Sequence, residues 1–160
     1  MRWPIYLLMV GGGSLAQTTV VPVVAFGGIV PDIPLVFTIL IALRRGPELG
    51  LATGFGFGLA QDLLGGGLLG IQALSKGVVG FWAGGLPGLF LTAHLVVQIT
   101  SLVIGSLGEG VLRFALLKLF AFPPGFAELF SQVILPQTLY NGLVGGLALF
   151  SLYWVRGARA

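Results

Sequence analysis

Long runs of apolar residues extend along the whole chain, separated by short breaks rich in proline, glycine or charge. Most runs are close to the length of about 20 residues that an α-helix needs to cross a bilayer. The clearest breaks lie at residues 44–47, 65–67 and 123–125. The pattern predicts about six transmembrane helices, at residues 3–20, 33–43, 48–64, 69–86, 92–120 and 129–154.

The second predicted span, residues 33–43, is short for a full crossing. Either it is tilted into a thinned part of the membrane, or part of residues 23–30 lies at membrane depth and is covered by protein. Asp32 precedes this span and Pro34 stands in its first turn, which is a helix start signal. The sequence therefore predicts that Asp32 caps the second helix.

The composition agrees with a membrane protein. The chain is 56% hydrophobic and 8% charged, whereas about a quarter of the residues in a soluble domain are charged. We expect one all-α, polytopic membrane domain over residues 1–160. The chain has no cysteine and one histidine, His94, so we expect no metal site and no cofactor. A net charge of +3 is too small for nucleic-acid binding.

Charge placement predicts the orientation in the membrane. Six spans put both termini on one side, and five of the eight cationic residues then fall on that side. The positive-inside rule makes this side cytoplasmic, so both termini are expected in the cytoplasm. The five residues are Arg2, Arg44, Arg45, Arg156 and Arg159.

A row of glycines marks the third span. Gly46, Gly50, Gly54 and Gly58 recur every fourth residue, and Asp62 falls at the next step. On a helix these positions share one face, and such small-residue faces allow close helix packing in lipid. Two interpretations stay open at this point. The five residues bind the transmembrane helix of a partner protein, or the row packs internally against the first or the fourth span.

The presence of each remaining ionisable residue in the spans must be explained, because inserting a charge into a membrane costs about 2.5–3.5 kcal/mol on insertion scales. Asp62 is predicted to meet a cation, either Lys76 or a basic group of another protein, unless it only reaches headgroup water. Glu109 and Arg113 are four residues apart and are predicted to form an internal ion pair. Asn141 is predicted to join helices by hydrogen bonds rather than to bind a ligand.

Two aspartates near one face of the membrane raise the possibility of an intramembrane aspartyl protease. A lipoprotein signal peptidase has about this size, but that family pairs asparagines with its catalytic acids. Neither Asp32 nor Asp62 has an asparagine nearby in the sequence. Two carboxylates alone are a weak catalytic signal, so we expect no catalytic residue and no enzymatic activity.

The order of these motifs resembles a known family, the rod shape-determining protein MreD. The resemblance rests on Pro31-Asp32, an apolar helix, and then G-x-x-x-G-F-x-x-G-L-x-x-D-L over residues 50–63. It continues through Leu69-Gly70, Ala73-Leu74 and, in the last span, Asn141-Gly142. The glycine row is richer than the family pattern needs, and the connection between the fourth and fifth spans is unusually uncharged.

The resemblance implies a non-enzymatic, multi-pass subunit of the bacterial cell-elongation (rod) complex in the inner membrane, which supports cell shape and lateral peptidoglycan synthesis. Its expected direct partner is the transmembrane helix of MreC. Through MreC it would join MreB, a RodA-type glycosyltransferase and a class B transpeptidase, with membrane lipids around it.

The MreD family also resembles the substrate-binding membrane subunits of energy-coupling-factor transporters. That likeness gives an alternative function, a small-molecule-binding subunit of a transporter. A vitamin-sized ligand would need several polar groups converging on one cavity. The chain has few such groups in its spans, mainly Asp62, Gln72, Lys76, Gln98 and Asn141.

Overall fold

The computed structural model describes residues 3–25, 27–86, 94–120 and 125–157. These residues form helices and connecting turns, and they contain no β-strand. The helices agree with the predicted spans to within a few residues. They are α1 (Trp3–Thr19), α2 (Ile33–Arg45), α3 (Pro47–Gly65), α4 (Ile71–Gly85), α5 (Leu95–Phe120) and α6, which joins Phe126–Leu129, a π-helical segment Phe130–Ile134 and Leu135–Gly157.

Length and hydropathy single out two described helices that could each cross a membrane, Leu95–Phe120 and Phe126–Ser151. Helix α2 has 13 residues, which corresponds to about 20 Å at 1.5 Å per residue. That is less than the apolar thickness of about 30 Å. The structure therefore supports an all-helical bundle with two long apolar helices, and the count of six crossings stays a prediction.

Helix α2 lies at the centre of the bundle. It packs against α1, α3, α4, α5 and α6, and most of its side chains are buried. The main core cluster draws six residues from α2 and the others from α4, α5 and α6, namely Leu35, Val36, Ile39, Leu40, Ala42, Leu43, Val79, Ala83, Leu102 and Leu149. The short helix is thus the element around which the others are arranged.

Helix α6 continues through Pro136, although a proline inside a helix normally kinks or ends it. The reason is the π-helical turn Phe130–Ile134 directly before it, in which the Leu135 N–H donates to the Phe130 carbonyl five residues earlier. Proline lacks an N–H and crowds the carbonyl four residues before it. The wider π turn accommodates this proline without ending the helix.

The connection between α1 and α2 is irregular, as its prolines and glycines predict. It contains a 3₁₀ turn, Val21–Val24, and two glycines with left-handed backbone, Gly27 at φ 60° and Gly28 at φ 81°. Val23 is 83% exposed, while Pro31 and Asp32 are buried. Protein therefore covers the last residues of the connection and not the stretch around Val23.

Candidate functional site

The glycine row of α3 faces α4. A Cβ added at Gly50 would overlap the Gly80 carbonyl, and one added at Gly54 would overlap the Lys76 carbonyl. At Gly58 the overlap would be with the backbone of Gln72 and Ala73. Because backbone meets backbone along the row, no side chain fits between the helices. We call this contact the α3–α4 seam.

The seam extends to the start of α3. A Cβ at Gly84 would overlap Pro47 and Gly46, and Gly46 itself has a left-handed φ of 93°. Of the two sequence interpretations, the structure has the internal one, with the fourth span as the partner. In the structure, α4 occupies the surface that Gly50, Gly54 and Gly58 would offer to another protein, whereas a Cβ at Gly46 would meet nothing within 4 Å. The part of these glycines in partner binding stays a prediction.

Asp62 caps α4 and does not pair with Lys76. Its carboxylate accepts hydrogen bonds from the backbone N–H groups of Gly70 (2.9 Å), Gln72 (3.2 Å) and Ala73 (3.2 Å). These donors lie at the start of α4, where backbone N–H groups have no partner within the helix and where a negative charge is favoured by the helix dipole. Pairing with Lys76 was one of three interpretations that the sequence left open, and it is not the arrangement in the structure, because Lys76 lies beside Asp32 and Glu109 instead.

The segment that leads into α2 is held by side chains from two other helices. Gln17 of α1 donates to the Pro31 carbonyl (2.8 Å) and accepts from the Ile33 N–H (3.0 Å). Asn141 of α6 accepts from the Asp32 N–H (2.6 Å). Non-helical backbone needs such partners wherever water is excluded. The segment is thereby fixed to both α1 and α6.

Gln137 of α6 adds a further contact to this segment by donating to the Val30 carbonyl (3.0 Å). Its side-chain oxygen accepts from the Arg113 guanidinium (3.0 Å). Asn141 similarly donates to the Ser106 hydroxyl of α5 (3.2 Å). The two amides of α6 therefore connect α5 to the start of α2.

Lys76 is fully buried and lies between two carboxylates. Its Nζ is 2.8 Å from Asp32 Oδ2 and 3.5 Å from Glu109 Oε1. It also donates to the Gln72 side-chain oxygen (2.9 Å). Asp32 keeps the predicted capping role through a bond from the Leu35 N–H (3.0 Å). One carboxylate thus both starts α2 and binds the lysine of α4.

Glu109 completes the arrangement from α5. It accepts from the Ser75 hydroxyl (2.9 Å) and lies 3.8 Å from the Arg113 guanidinium, which is the internal pair that the sequence predicts. Two acids and two bases thus lie together in the core. We call them the charge cluster, namely Asp32, Glu109, Lys76 and Arg113. Its formal charges cancel, which lowers the free-energy cost of burying each one.

Three buried polar atoms in the described part of the chain have no hydrogen-bond partner, Ser14 Oγ, Gln61 Oε1 and Thr138 Oγ1. The amide nitrogen of Gln61 reaches Asp32 Oδ1 at 3.5 Å. The edge of the charge cluster next to α3 is therefore less fully bonded than its centre at Lys76.

The sequence predicts the charged members of this region but not all of their uncharged partners. Four uncharged residues of this region were not predicted, namely Gln17, Gln61, Ser75 and Gln137. Polar residues at similar depth in apolar spans are the sequence feature that could have identified them. An asparagine does lie near Asp32 in the folded chain, although none is near it in the sequence. Asn141 contacts the backbone of Asp32, but it does not contact the carboxylate in the described structure, and each carboxylate is engaged in a cap or an ion pair.

An apolar groove opens between α4 and α5. Its volume is about 560 Å³. Its lining includes Val79 and Trp82 of α4, Leu86 directly after α4, and Ile104 and Gly108 of α5. None of the described residues that line it is charged. The groove therefore differs in chemistry from the charge cluster. Its polar groups include the Trp82 indole and the hydroxyls of Thr100 and Ser101, and the Ser101 hydroxyl already donates to the Val97 carbonyl. This is less than the converging set of polar groups that a vitamin-like ligand needs.

Comparison with known families agrees with the motifs. The model of one family, described as rod shape-determining protein MreD, matches residues 1–155 of the chain. This chain belongs to the MreD family. No curated protein and no solved structure matches it, so the likeness to transporter subunits stays a prediction. The family assignment makes this chain a rod-shape-determining membrane protein.

Proposed function

We propose that this MreD-family chain is a non-enzymatic membrane subunit of the rod complex that binds MreC and thereby supports lateral peptidoglycan synthesis. The family match over residues 1–155 carries the proposal. The engagement of the three buried carboxylates supports it, since Asp32, Asp62 and Glu109 each hold helices together. A catalytic acid or base must be reachable by its substrate, whereas these three carboxylates are already bonded within the bundle.

The alternative, a small-molecule-binding transporter subunit, is less well supported. Its ligand would need free polar groups in a cavity. Most of the polar side chains around Lys76 and Asp32 are instead bonded to one another. The described groove between α4 and α5 is apolar.

MreC would bring a single transmembrane helix, and helices in lipid associate through close packing and a few polar contacts. Because α4 occupies the glycine face of α3, we propose that Gly50, Gly54 and Gly58 support this binding indirectly. They hold α3 and α4 together, so that the outer surface of the bundle keeps its shape for MreC.

Co-purification with tagged MreC from the same genome tests the proposal. We expect the wild-type chain to be retained with MreC. Gly54→Leu should lose both MreC and its single peak in size-exclusion chromatography, because the leucine would have to displace the Lys76 backbone. Gly12→Leu is the matched control, since a Cβ there meets nothing within 4 Å.

Two results would contradict this reading. If the wild-type chain and MreC failed to associate in lipid nanodiscs, the proposed partner would be wrong. If Gly54→Leu stayed monodisperse while losing MreC, the glycine face would contact MreC directly, and the indirect role would be wrong.

We also propose six crossings with both termini in the cytoplasm, since Arg44 and Arg45 then share a side with the arginines of the termini. Reporter fusions after residue 156 and within residues 123–126 should read inside and outside, respectively. The same reading at both positions would exclude this topology.

A further inference from the structure

The groove between α4 and α5 is an apolar cavity on the outside of the bundle that the structure leaves without a protein neighbour among the described residues. It runs along α5 from Val96 to Leu112, a distance of about 24 Å at 1.5 Å per residue. In a bilayer such a surface is covered either by lipid chains or by another helix. Its dimensions and its charged surroundings distinguish these occupants.

The groove is too narrow to enclose a helix. A volume of about 560 Å³ over about 24 Å, with the radius of a water molecule added at the walls, corresponds to a mean width of about 8 Å, while a helix with its side chains is about 10–12 Å across. A helix could insert only some of its side chains. A single extended hydrocarbon chain is thin enough to lie along the whole groove.

The groove floor is suited to such a chain. Gly108 is exposed and a Cβ added there meets nothing within 4 Å, so the backbone of α5 is open at this point. Trp82 stands at the rim and is 73% exposed. Tryptophan is enriched where the apolar core of a membrane meets the headgroups, which suggests that this end of the groove lies near a membrane surface.

Positive charge lies at the same end. Gly84, between the groove residues Ala83 and Leu86, packs against Gly46 and Pro47. Arg44 and Arg45 come directly before Gly46 and are both exposed. With the exposed Glu48, this corner keeps a net positive charge. Cytoplasmic leaflets contain anionic lipids, which attract basic residues at the membrane surface.

We infer that the α4–α5 groove binds one acyl chain of an anionic phospholipid from the leaflet on the Arg44 side, with its phosphate near Arg44 and Arg45. The lipid would fill the space between two helices that are joined at their other end by the bond of Ser75 to Glu109 and the ion pair of Lys76 with Glu109. This inference does not require MreC.

Photolabelling tests the site directly. The probe is phosphatidylglycerol with a diazirine on one acyl chain, mixed with phosphatidylcholine in nanodiscs that hold the purified chain alone. We expect the label to concentrate on groove-lining peptides of α4 and α5. Gly108→Leu, which fills the floor, should reduce this labelling several-fold, and Thr100→Leu at the exposed rim is a second filling variant. Gly12→Leu on α1 is the matched control and should label like the wild-type chain.

A second arm tests the headgroup. Arg44→Gln combined with Arg45→Gln should reduce labelling by the phosphatidylglycerol probe more than labelling by a phosphatidylcholine probe with the same acyl diazirine. Equal reduction of both probes, or no reduction of either, would overturn the assignment of the headgroup to these arginines.

Labelling spread evenly over all helices, or unchanged in both filling variants, would overturn the acyl-chain site. Co-purification of the same variants with MreC separates the two proposals. If the groove does not label and Gly108→Leu abolishes MreC binding, the groove belongs to the partner helix, and the lipid inference fails while the proposed function stands.

Discussion

The α3–α4 seam and the charge cluster hold neighbouring parts of the bundle by different means. In the seam, missing side chains bring two backbones into contact at Gly50, Gly54 and Gly58. In the cluster, long side chains reach across the core, and the Lys76 ammonium lies 2.8 Å from Asp32. Both the seam and the cluster involve α4. This helix contacts α3 through one face, and from another face its Lys76 side chain reaches α2 and α5.

The comparison shows how tolerance to mutation should differ between the two. The seam depends on volume, so any added side chain should weaken it whatever its chemistry. The cluster depends on charge balance, so one change should weaken it strongly while a second, compensating change should restore much of the loss.

Breaking the cluster at Lys76 should have the largest effect. Lys76→Met removes the cation between Asp32 and Glu109, and leaving a buried charge without its partner costs about 3–5 kcal/mol. We expect the midpoint of unfolding in detergent to fall sharply. Lys118→Met, at the exposed end of α5, serves as the control and should behave like the wild-type chain.

A compensating change sharpens this prediction. Lys76→Met with Asp32→Asn removes one charge of each sign, and asparagine still caps a helix well. The double variant should be more stable than Lys76→Met alone. If it were less stable, charge balance would not be what holds the cluster.

Even the smallest added side chain should destabilise the seam. Gly58→Ala places a Cβ against the backbone of Gln72 and Ala73, and overpacking of this kind typically costs about 1–3 kcal/mol. Gly65→Ala on the same helix has open space around its Cβ. Thermal unfolding should therefore separate the two variants, and equal stability would show that α4 does not pack against α3 this closely.

Loss of the cap at Asp62 should have the smallest effect on stability of the three changes. Asp62→Ala removes the acceptor for three N–H groups at the start of α4, and losing a cap typically costs about 1 kcal/mol. Asp62→Asn keeps one acceptor oxygen and should lose less. Hydrogen exchange of the amides at Gly70, Gln72 and Ala73 measures the difference, and equal protection in both variants would contradict the capping role.

The sequence by itself determined the features that repeat over short distances. Apolar length predicted the helices, and glycines at every fourth residue predicted a close-packing face on α3, because neighbours on one helix face are encoded four residues apart. The cap at Asp32 and the Glu109–Arg113 pair were predicted for the same reason. The order of such local motifs also identified the MreD family, which the match over residues 1–155 confirms.

The tertiary structure alone decided which groups meet across the core. Asp32 contacts Asn141, 109 residues away, and Lys76 contacts Glu109, 33 residues away. Several pairings of the few charged residues satisfy the same composition, and Lys76 could have bonded Asp62 as readily on sequence grounds. The choice depends on how α2, α4 and α5 turn their faces toward one another, and that orientation is set by the packing of the whole bundle.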